Sequence, residues 1–258
     1  MTAPLALLSI EGPVARLTLN RPERHNSLIP ELIGSLLTHL QQIAANKDTR
    51  VLILQAAGRS FSTGGDVQGF FSTPRAERRA YAQKLIGGLN EAILALLDLT
   101  IPVIGRIHGP VTGGSLGFVL ACDLVAVTPQ AFIQPYYTQV GFSPDGGWTA
   151  LLPDRIGAAK AREIQLLNRP ISAGEAVQLG LATTLATTDV IDGVIADWIA
   201  ALLDKRPGAM TRTKALLLTA EQRRRVQEAL AAEAQSFMEQ IDSEEAEAGM
   251  ARFLAKSA

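Results

Sequence analysis

The chain has 258 residues and a formal net charge of -1, from 24 Lys and Arg against 25 Asp and Glu. At roughly 150 residues per domain this is one or two domains, and 47% hydrophobic with 19% charged residues is too apolar and too neutral for a disordered chain. The charge balance offers no long-range attraction to phosphate backbones, and 5% aromatic residues make a poor stacking platform, so no nucleic-acid partner is expected.

The start, Met1 to Pro4, lacks a basic segment followed by a long apolar one. No apolar run reaches the ~18–20 residues of a membrane helix, so a cytoplasmic protein without membrane contact is expected. Leu5 to Ile10 and Val14 to Leu19 read as two strands joined at Glu11-Gly12-Pro13, the second alternating with a half-exposed period. From Pro30 to Ala45 the positions Leu32, Ile33, Leu36, Leu37, Leu40 and Ile43 recur at helical spacing, with Pro30 suited to a first turn. Val51 to Leu54 is wholly apolar, as in a strand covered on both faces. A Gly-rich stretch (Gly58 to Gly69) and a long helical pattern (about Pro74 to Leu97) follow, then a strand (Pro102 to Ile107), a second Gly-rich turn and a helix (Ser115 to Ala121). Leu124 to Val127 is a further strand, Pro144-Asp145-Gly146-Gly147 a turn, and Ser172 with Glu175 has the spacing of a capping box. Beyond Asp189 the pattern is helical throughout: Ile191 to Leu203, Gly208 to Leu218, Arg223 to Ile241 and Glu244 to Leu254. Strand–helix alternation followed by helices alone predicts an α/β core with an appended helical region.

Reactive side chains are scarce. One cysteine, Cys122, excludes an internal disulfide framework, and His25, His39 and His108 show no metal-ligand spacing, so no metal is expected. Gly113-Gly114-Ser115-Leu116-Gly117 matches G-x-S-x-G, but all three histidines precede Ser115, whereas the hydrolase order is Ser, acid, His. Neither Gly-rich stretch carries a phosphate-loop lysine or the G-x-G-x-x-G spacing. What remains is two glycine pairs, Gly64-Gly65 and Gly113-Gly114, each between a strand and a helix. They serve either as tight turns or to bare backbone N–H groups toward a ligand oxygen.

Together with their neighbours these pairs are more specific. Phe61-Ser62-Thr63-Gly64-Gly65-Asp66 resembles the F-[SC]-[AT]-G-x-D element of the enoyl-CoA hydratase/isomerase (crotonase) superfamily. His108-Gly109-Pro110-Val111-Thr112-Gly113-Gly114-Ser115 resembles its second glycine element. Leu19 to Leu28, Ala121-Cys122-Asp123, Arg169 to Ala176 and Gly180-Leu181-Ala182 extend the resemblance over nearly the whole chain. It implies an α/β spiral of repeated strand-strand-helix turns over residues 1–195. A C-terminal helical region over 196–258 would build trimers or dimers of trimers. The implied partner is an acyl-CoA thioester, with coenzyme A arriving as part of the substrate and no separate cofactor. The resemblance puts the Gly65 and Gly114 amides in an oxyanion hole around the thioester carbonyl, where the helix dipole at Gly114 favours an enolate. It places Arg24 near the CoA phosphates and Ser62, Gly64, Asp66, Gly113, Tyr137 and Phe142 about the bound thioester, Asp66 chiefly to order its loop. Tyr136, Tyr137, Phe142 and Trp148 are candidates for the acyl pocket or the core. Arg223-Arg224-Arg225 reads as a solvated helix face, with Glu244 or Glu245 of another copy as an expected partner.

The chain departs from the superfamily where its hydratases carry two catalytic glutamates, having Gly117 and Tyr137 at those positions. Asp145, in Val140 to Thr149, stands where the branch with enoyl-CoA isomerases and ring-opening isomerases of phenylacetate breakdown has its proton-handling aspartate. Dehalogenases of the superfamily place a nucleophilic aspartate there too, but their His and Trp partners are replaced by about Asn90 and Tyr137. Beside the resemblance stands the plain reading of Asp145 as a Pro-Asp-Gly turn residue or helix cap. The expected function is therefore an enoyl-CoA isomerase with Asp145, Gly65 and Gly114 as the catalytic set. Its alternatives are a hydratase using Asp145 alone and a silent acyl-CoA-binding oligomer.

Overall fold

In the computed structural model residues 3–257 are described. Met1, Thr2 and Ala258, the outer ends of the two expected segments, lie outside the described residues. The first hairpin forms where alternation predicts it, with β1 (Ala6–Glu11) antiparallel to β2 (Val14–Leu19). On β2 Ala15, Leu17 and Leu19 are buried while Val14, Arg16 and Thr18 are half-buried, the period of two that covers one face of a sheet. The helix α1 (Pro30–Ala45) buries Leu32, Ile33, Leu36, Leu40 and Ile43. The apolar run becomes β3 (Val51–Ala56), parallel to β2. Its alternate residues serve two cores: Leu52 and Leu54 join the main one, Val51 and Ile53 a second one under the C-terminal region. Covering both faces explains why no polar residue interrupts Val51 to Leu54.

The chain continues through α2 (Val67–Ser72), α3 (Arg75–Asp98), β4 (Val103–Ile107) and β5 (Pro110–Thr112). A 3-10 turn at Gly113–Ser115 leads into α4 (Leu116–Leu120). Next come β6 (Leu124–Val127), β7 (Phe132–Gln134), α5 (Tyr137–Val140), α6 (Leu152–Ile156) and α7 (Ala158–Leu166). Then follow β8 (Ile171–Ser172), α8 (Ala173–Gln178) and β9 (Thr184–Leu185). Four helices end the chain: α9 (Ile191–Leu203), α10 (Pro207–Leu217), α11 (Ala220–Gln240) and α12 (Glu244–Ser257). One sheet has the order β1-β2-β3-β4-β6-β9 and a smaller one the order β5-β7-β8. A bridge between Ser62 and Val111 lays the loop after β3 beside β5. Each pass of the chain therefore adds to the large sheet, crosses to the small one, and returns through a helix.

Several details differ from the expectation. The strands β5, β7, β8 and β9 have two or three residues each, too few for a period to show, and α2 forms within the stretch read as a Gly-rich loop. Ser172 accepts from the Glu175 amide, but the Glu175 carboxylate turns to Arg169 at 2.8 Å, so half of the capping box is spent on an ion pair. The arginine run lies on a solvated helix face, and within the chain Arg223 pairs with Asp98 at 2.7 Å and Arg224 with Glu221 and Glu228. Within 196–258, α11 packs along α3, and α12 packs on α2 and α5, burying Phe237 and Met250. Among the described residues no helix is long and apolar enough to cross a membrane.

The turn after β2 is held by a buried amide. Asn26 is fully buried and donates through Nδ2 to the carbonyls of Ala57 and Ser60, both at 2.8 Å, while its Oδ1 accepts from the Arg21 amide at 2.8 Å. It thereby joins the loop after β2 to the first Gly-rich loop. Asn26→Ala strands three backbone groups, each costing about 1–3 kcal/mol when left unpaired in the interior. Denaturant unfolding should show a loss of at least about 2 kcal/mol, and an unchanged midpoint would refute this role.

Candidate active site

The two glycine loops approach so closely that only backbone fits between them. A methyl group on Gly64 would stand 2.6 Å from the Thr112 carbonyl and 3.1 Å from Gly113 Cα. Polar side chains brace the loops from behind. Ser115 Oγ donates to the carbonyls of Ser62 and Thr112 at 3.1 and 2.7 Å, and Trp148 Nε1 donates to Gly113 O at 2.8 Å. Ser62 Oγ donates to Asn26 O at 2.8 Å. Ser115 is thus a strut and no nucleophile. Ser62, Gly64 and Trp148 lie behind the cavity wall, while Gly65, Gly113 and Gly114 lie on it.

Each presented amide has a local cause. Leu28 donates to Gly64 O at 2.7 Å and accepts from Asp66 N at 3.0 Å, which leaves the intervening Gly65 N–H directed away from Leu28. Gly114 lies in the first turn of the helical segment entering α4, where amides have no acceptor within the helix. Both open onto a cavity of about 720 Å³. Leu85, Leu89, Phe70, Phe142 and Phe237 make its apolar wall, and the three phenylalanines pack with ring centroids 4.8–5.8 Å apart. Arg24, His25, Gln68 and Lys256 supply polar groups elsewhere on the wall. Tyr136 is on the wall as well, its ring against Phe253.

Asp145 reaches this cavity from the turn before α6, although only 7% of the residue is exposed. The Tyr137 hydroxyl donates to Asp145 Oδ1 in a very short hydrogen bond, and to the Asp145 carbonyl at 3.1 Å. Burial first of all, opposed by the Tyr137 hydrogen bond and reinforced by the nearby Glu233 carboxylate, leaves the Asp145 carboxyl pushed up to about 7. Tyr137, buried against that carboxylate, is held well above the ordinary phenol range by burial first and Asp145 second. Asp145 is therefore poised to give and take a proton near neutrality. Tyr137, expected at the substrate, lies on the cavity wall, with its hydroxyl engaged by Asp145.

Asp66 caps α2 through Gly69 N, and pairs with Arg21 at 2.9 Å and Arg24 at 3.5 Å. Burial raises its carboxyl, but the two arginines and the Gly69 amide together hold it below the ordinary range. Arg24 is half exposed on the wall, within reach of an entering anion. Asn90, off the wall, donates to the Leu230 carbonyl at 3.0 Å. Sequence reasoning missed Glu233. It lies on α11, 84 residues along the chain from the Thr149 amide it accepts from, and nothing in its helical context marks it.

Comparison with known proteins identifies the family. The profile of the enoyl-CoA hydratase/isomerase family matches residues 9–258. The chain belongs to this family. A Mycobacterium bovis protein named as a probable enoyl-CoA hydratase is 36% identical over 186 residues, 69% of this chain and 65% of its own length. The chain thus aligns with slightly under two thirds of that relative. An Arabidopsis thaliana protein named as a peroxisomal dienoyl-CoA isomerase is 29% identical over 217 residues, 81% of this chain and 78% of its own. A crystal structure titled as an enoyl-CoA hydratase from Bacillus halodurans superposes with a TM-score of 0.90 at 22% identity, over 96% of this chain and 99% of that one. The α/β spiral expected from the sequence is therefore the fold of this member of the family.

The structure also shows what occupies the two glutamate positions. A methyl group at Gly117 would collide with Ile93 Cδ1 and stand 2.5 Å from the Gly146 carbonyl. Gly146 in turn adopts φ +61° with its Cα against the backbone of Gly114, so a side chain there would strike Gly114. Position 117 is packed shut by the turn that carries Asp145. Gly117→Glu is expected to displace that turn, lowering the melting temperature without producing hydration of crotonyl-CoA. Gain of hydratase turnover in Gly117→Glu, followed by loss of the enoyl-thioester absorbance, would contradict this packing argument.

Proposed function

We propose that the protein is an acyl-CoA isomerase that moves the double bond of a 3-enoyl-CoA to the 2-position. One observation carries this reading. Of the carboxylates on the cavity wall, Glu23 is exposed and Asp66 is tied to Arg21 and Arg24, which leaves Asp145 alone beside a presented amide. A methyl group on Gly114 would be 2.6 Å from Asp145 Oδ1, so base and amide can address one small reacting group. Asp145 removes a proton from the α-carbon, and the electrons spread onto the thioester oxygen as a dienolate. The N–H groups of Gly65 and Gly114 hold that oxygen, and each such donor is typically worth about 2.7–4 kcal/mol in the transition state. Asp145 then returns the proton at the γ-carbon. The bond shift is an isomerisation, and one carboxyl that cycles between its two forms completes it.

The acyl chain lies against Phe70, Phe142 and Phe237 in this reading, and Arg24 and Lys256 attract the phosphates of coenzyme A, which comes with the substrate. A trimer or dimer of trimers in the cytoplasm is part of the same proposal. Leu166, Leu167, Leu216 and Leu217, each more than 70% exposed, are apolar surface that a second copy could cover. The name of the Mycobacterium bovis relative supports a second reading, hydration with Asp145 as sole carboxyl. Purified protein incubated with 3-enoyl-CoA and with crotonyl-CoA separates the two. Binding of both thioesters without turnover would instead mark a silent acyl-CoA-binding protein.

Asp145→Asn is expected to cut isomerase turnover by about 10²–10⁴-fold, the ordinary worth of a positioned acid–base group. Wild-type turnover in that variant would refute the assignment. For the wild type, kcat/KM should rise with pH through a midpoint near 7 as the Asp145 proton is lost. The same group sets a stability trend. A carboxyl whose pKa is raised on folding costs no stability below its unfolded value of about 4, and the cost grows until pH passes about 7. Asp145→Asn should therefore melt above the wild type at pH 8, with the gap shrinking toward pH 5. A gap that widens on acidification would contradict the burial argument.

A further inference from the structure

Glu233 is a buried titratable group for which the proton transfer itself has no use. Only 4% of the residue is exposed, yet no ion pair joins it to a lysine or arginine among the described residues. Its carboxylate is held instead by one short stretch of chain. Oε2 accepts from the Gly147 amide at 2.8 Å. Oε1 accepts from the Thr149 amide at 2.5 Å, the Thr149 hydroxyl at 2.7 Å and the Ala150 amide at 2.9 Å. Burial raises this carboxyl above the ordinary range, and the four donors oppose that rise without cancelling it. Donors converging in this way favour the charged form.

All four donors lie within five residues after Asp145. That stretch includes Gly146, which abuts Gly114, and Trp148, which holds the Gly113 carbonyl. One turn further along α11, Phe237 forms part of the aromatic wall. The helix therefore grips the Asp145 turn with one residue and borders the cavity with the next on the same face.

We propose that Glu233 is the positioning residue of Asp145: its carboxylate pins the 147–150 backbone so that Asp145 stays beside the Gly114 amide, and its charge keeps the Asp145 proton available to the substrate. The reaction it serves is the isomerisation proposed above, so this inference rests on that reading for its kinetic part. The groups facing Asp145 are few. Tyr137 of α5 and Glu233 of α11 are the titratable ones, and the backbone of Gly114 stands beside Asp145 with Leu89 of α3 packed against it. No cation stands among them, so the charge on Glu233 acts on Asp145 without a neutralising neighbour.

The test uses full-length protein and two readouts. One is kcat and KM with 3-enoyl-CoA. The other is the Asp145 carboxyl titration by infrared difference spectroscopy, its band identified by its loss in Asp145→Asn. Glu233→Gln, which keeps the length and removes the charge, is expected to lower kcat at least tenfold with KM within twofold. It should also shift the Asp145 midpoint down by about one pH unit or more, to pH 6 or below. A merely structural glutamate would lower yield or melting temperature and leave that midpoint in place, and an unmoved midpoint overturns the proposal. Thr149→Val, which removes one of the donors that favour the charge on Glu233, is the milder variant should Glu233→Gln fail to fold. Its Asp145 midpoint should move downward, in the same sense as Glu233→Gln but by less, and no movement again overturns the proposal. If the wild type turns over no enoyl-CoA the isomerase reading fails, while the titration still decides the role of Glu233.

Discussion

The site depends on backbone meeting backbone at three glycine turns. Gly64 lies against Thr112 and Gly113, Gly146 lies against Gly114, and Gly117 faces the Gly146 carbonyl. A Cβ at any of these contacts would force the loops apart, so these positions are restricted by space before any chemistry is considered. Once the loops are together, the amides of Gly65 and Gly114 line one cavity with Asp145. For the proposed reaction the arrangement is preorganised: the donors belong to a rigid backbone frame that would not have to rearrange to meet an oxyanion.

The same constraint closes position 117. Because the Asp145 turn packs onto Gly114 and Gly117, a carboxylate side chain at 117 has no room, and in the proposed reaction the carboxyl comes from the turn itself. The cost is a buried carboxyl. The Asp145 carboxyl is pushed up to about 7, by burial first, with Tyr137 opposing the rise by donating and Glu233 adding to it by its charge. A hydrated aspartate would be a weak base at neutrality, and this one is a stronger base than that. Stability is exchanged for a proton of suitable affinity, and α11, which runs beside α3, supplies Glu233 to hold the turn in place.

Much of the fold was legible in the sequence because its signals are local. Alternation marked β2, helical spacing marked α1 with the observed bounds, and an uninterrupted apolar run marked β3. The strands of the small sheet escaped because two or three residues carry no period. At the site, Gly65, Gly114 and Asp145 were readable from the motifs that contain them, and the structure brings them to one cavity. The Tyr137–Asp145 contact and the Glu233 clamp were not readable. The first depends on α5 turning a buried ring toward the Asp145 turn, and the second on the docking of a helix far along the chain. Neither has a spacing that a one-dimensional pattern can show. The intrachain partners of Arg223 and Arg224 were not readable for the same reason, since an exposed arginine run does not disclose which acid folds beside it.

The central claim is that one secluded carboxyl both removes and returns the proton. It is tested most directly by following the label from a 3-enoyl-CoA dideuterated at the α-carbon, turned over in ordinary water. Asp145 is almost wholly withdrawn from solvent, so the account predicts that most of the product carries the transferred deuterium at its γ-carbon. Complete loss of that deuterium to water from the first turnover would contradict it.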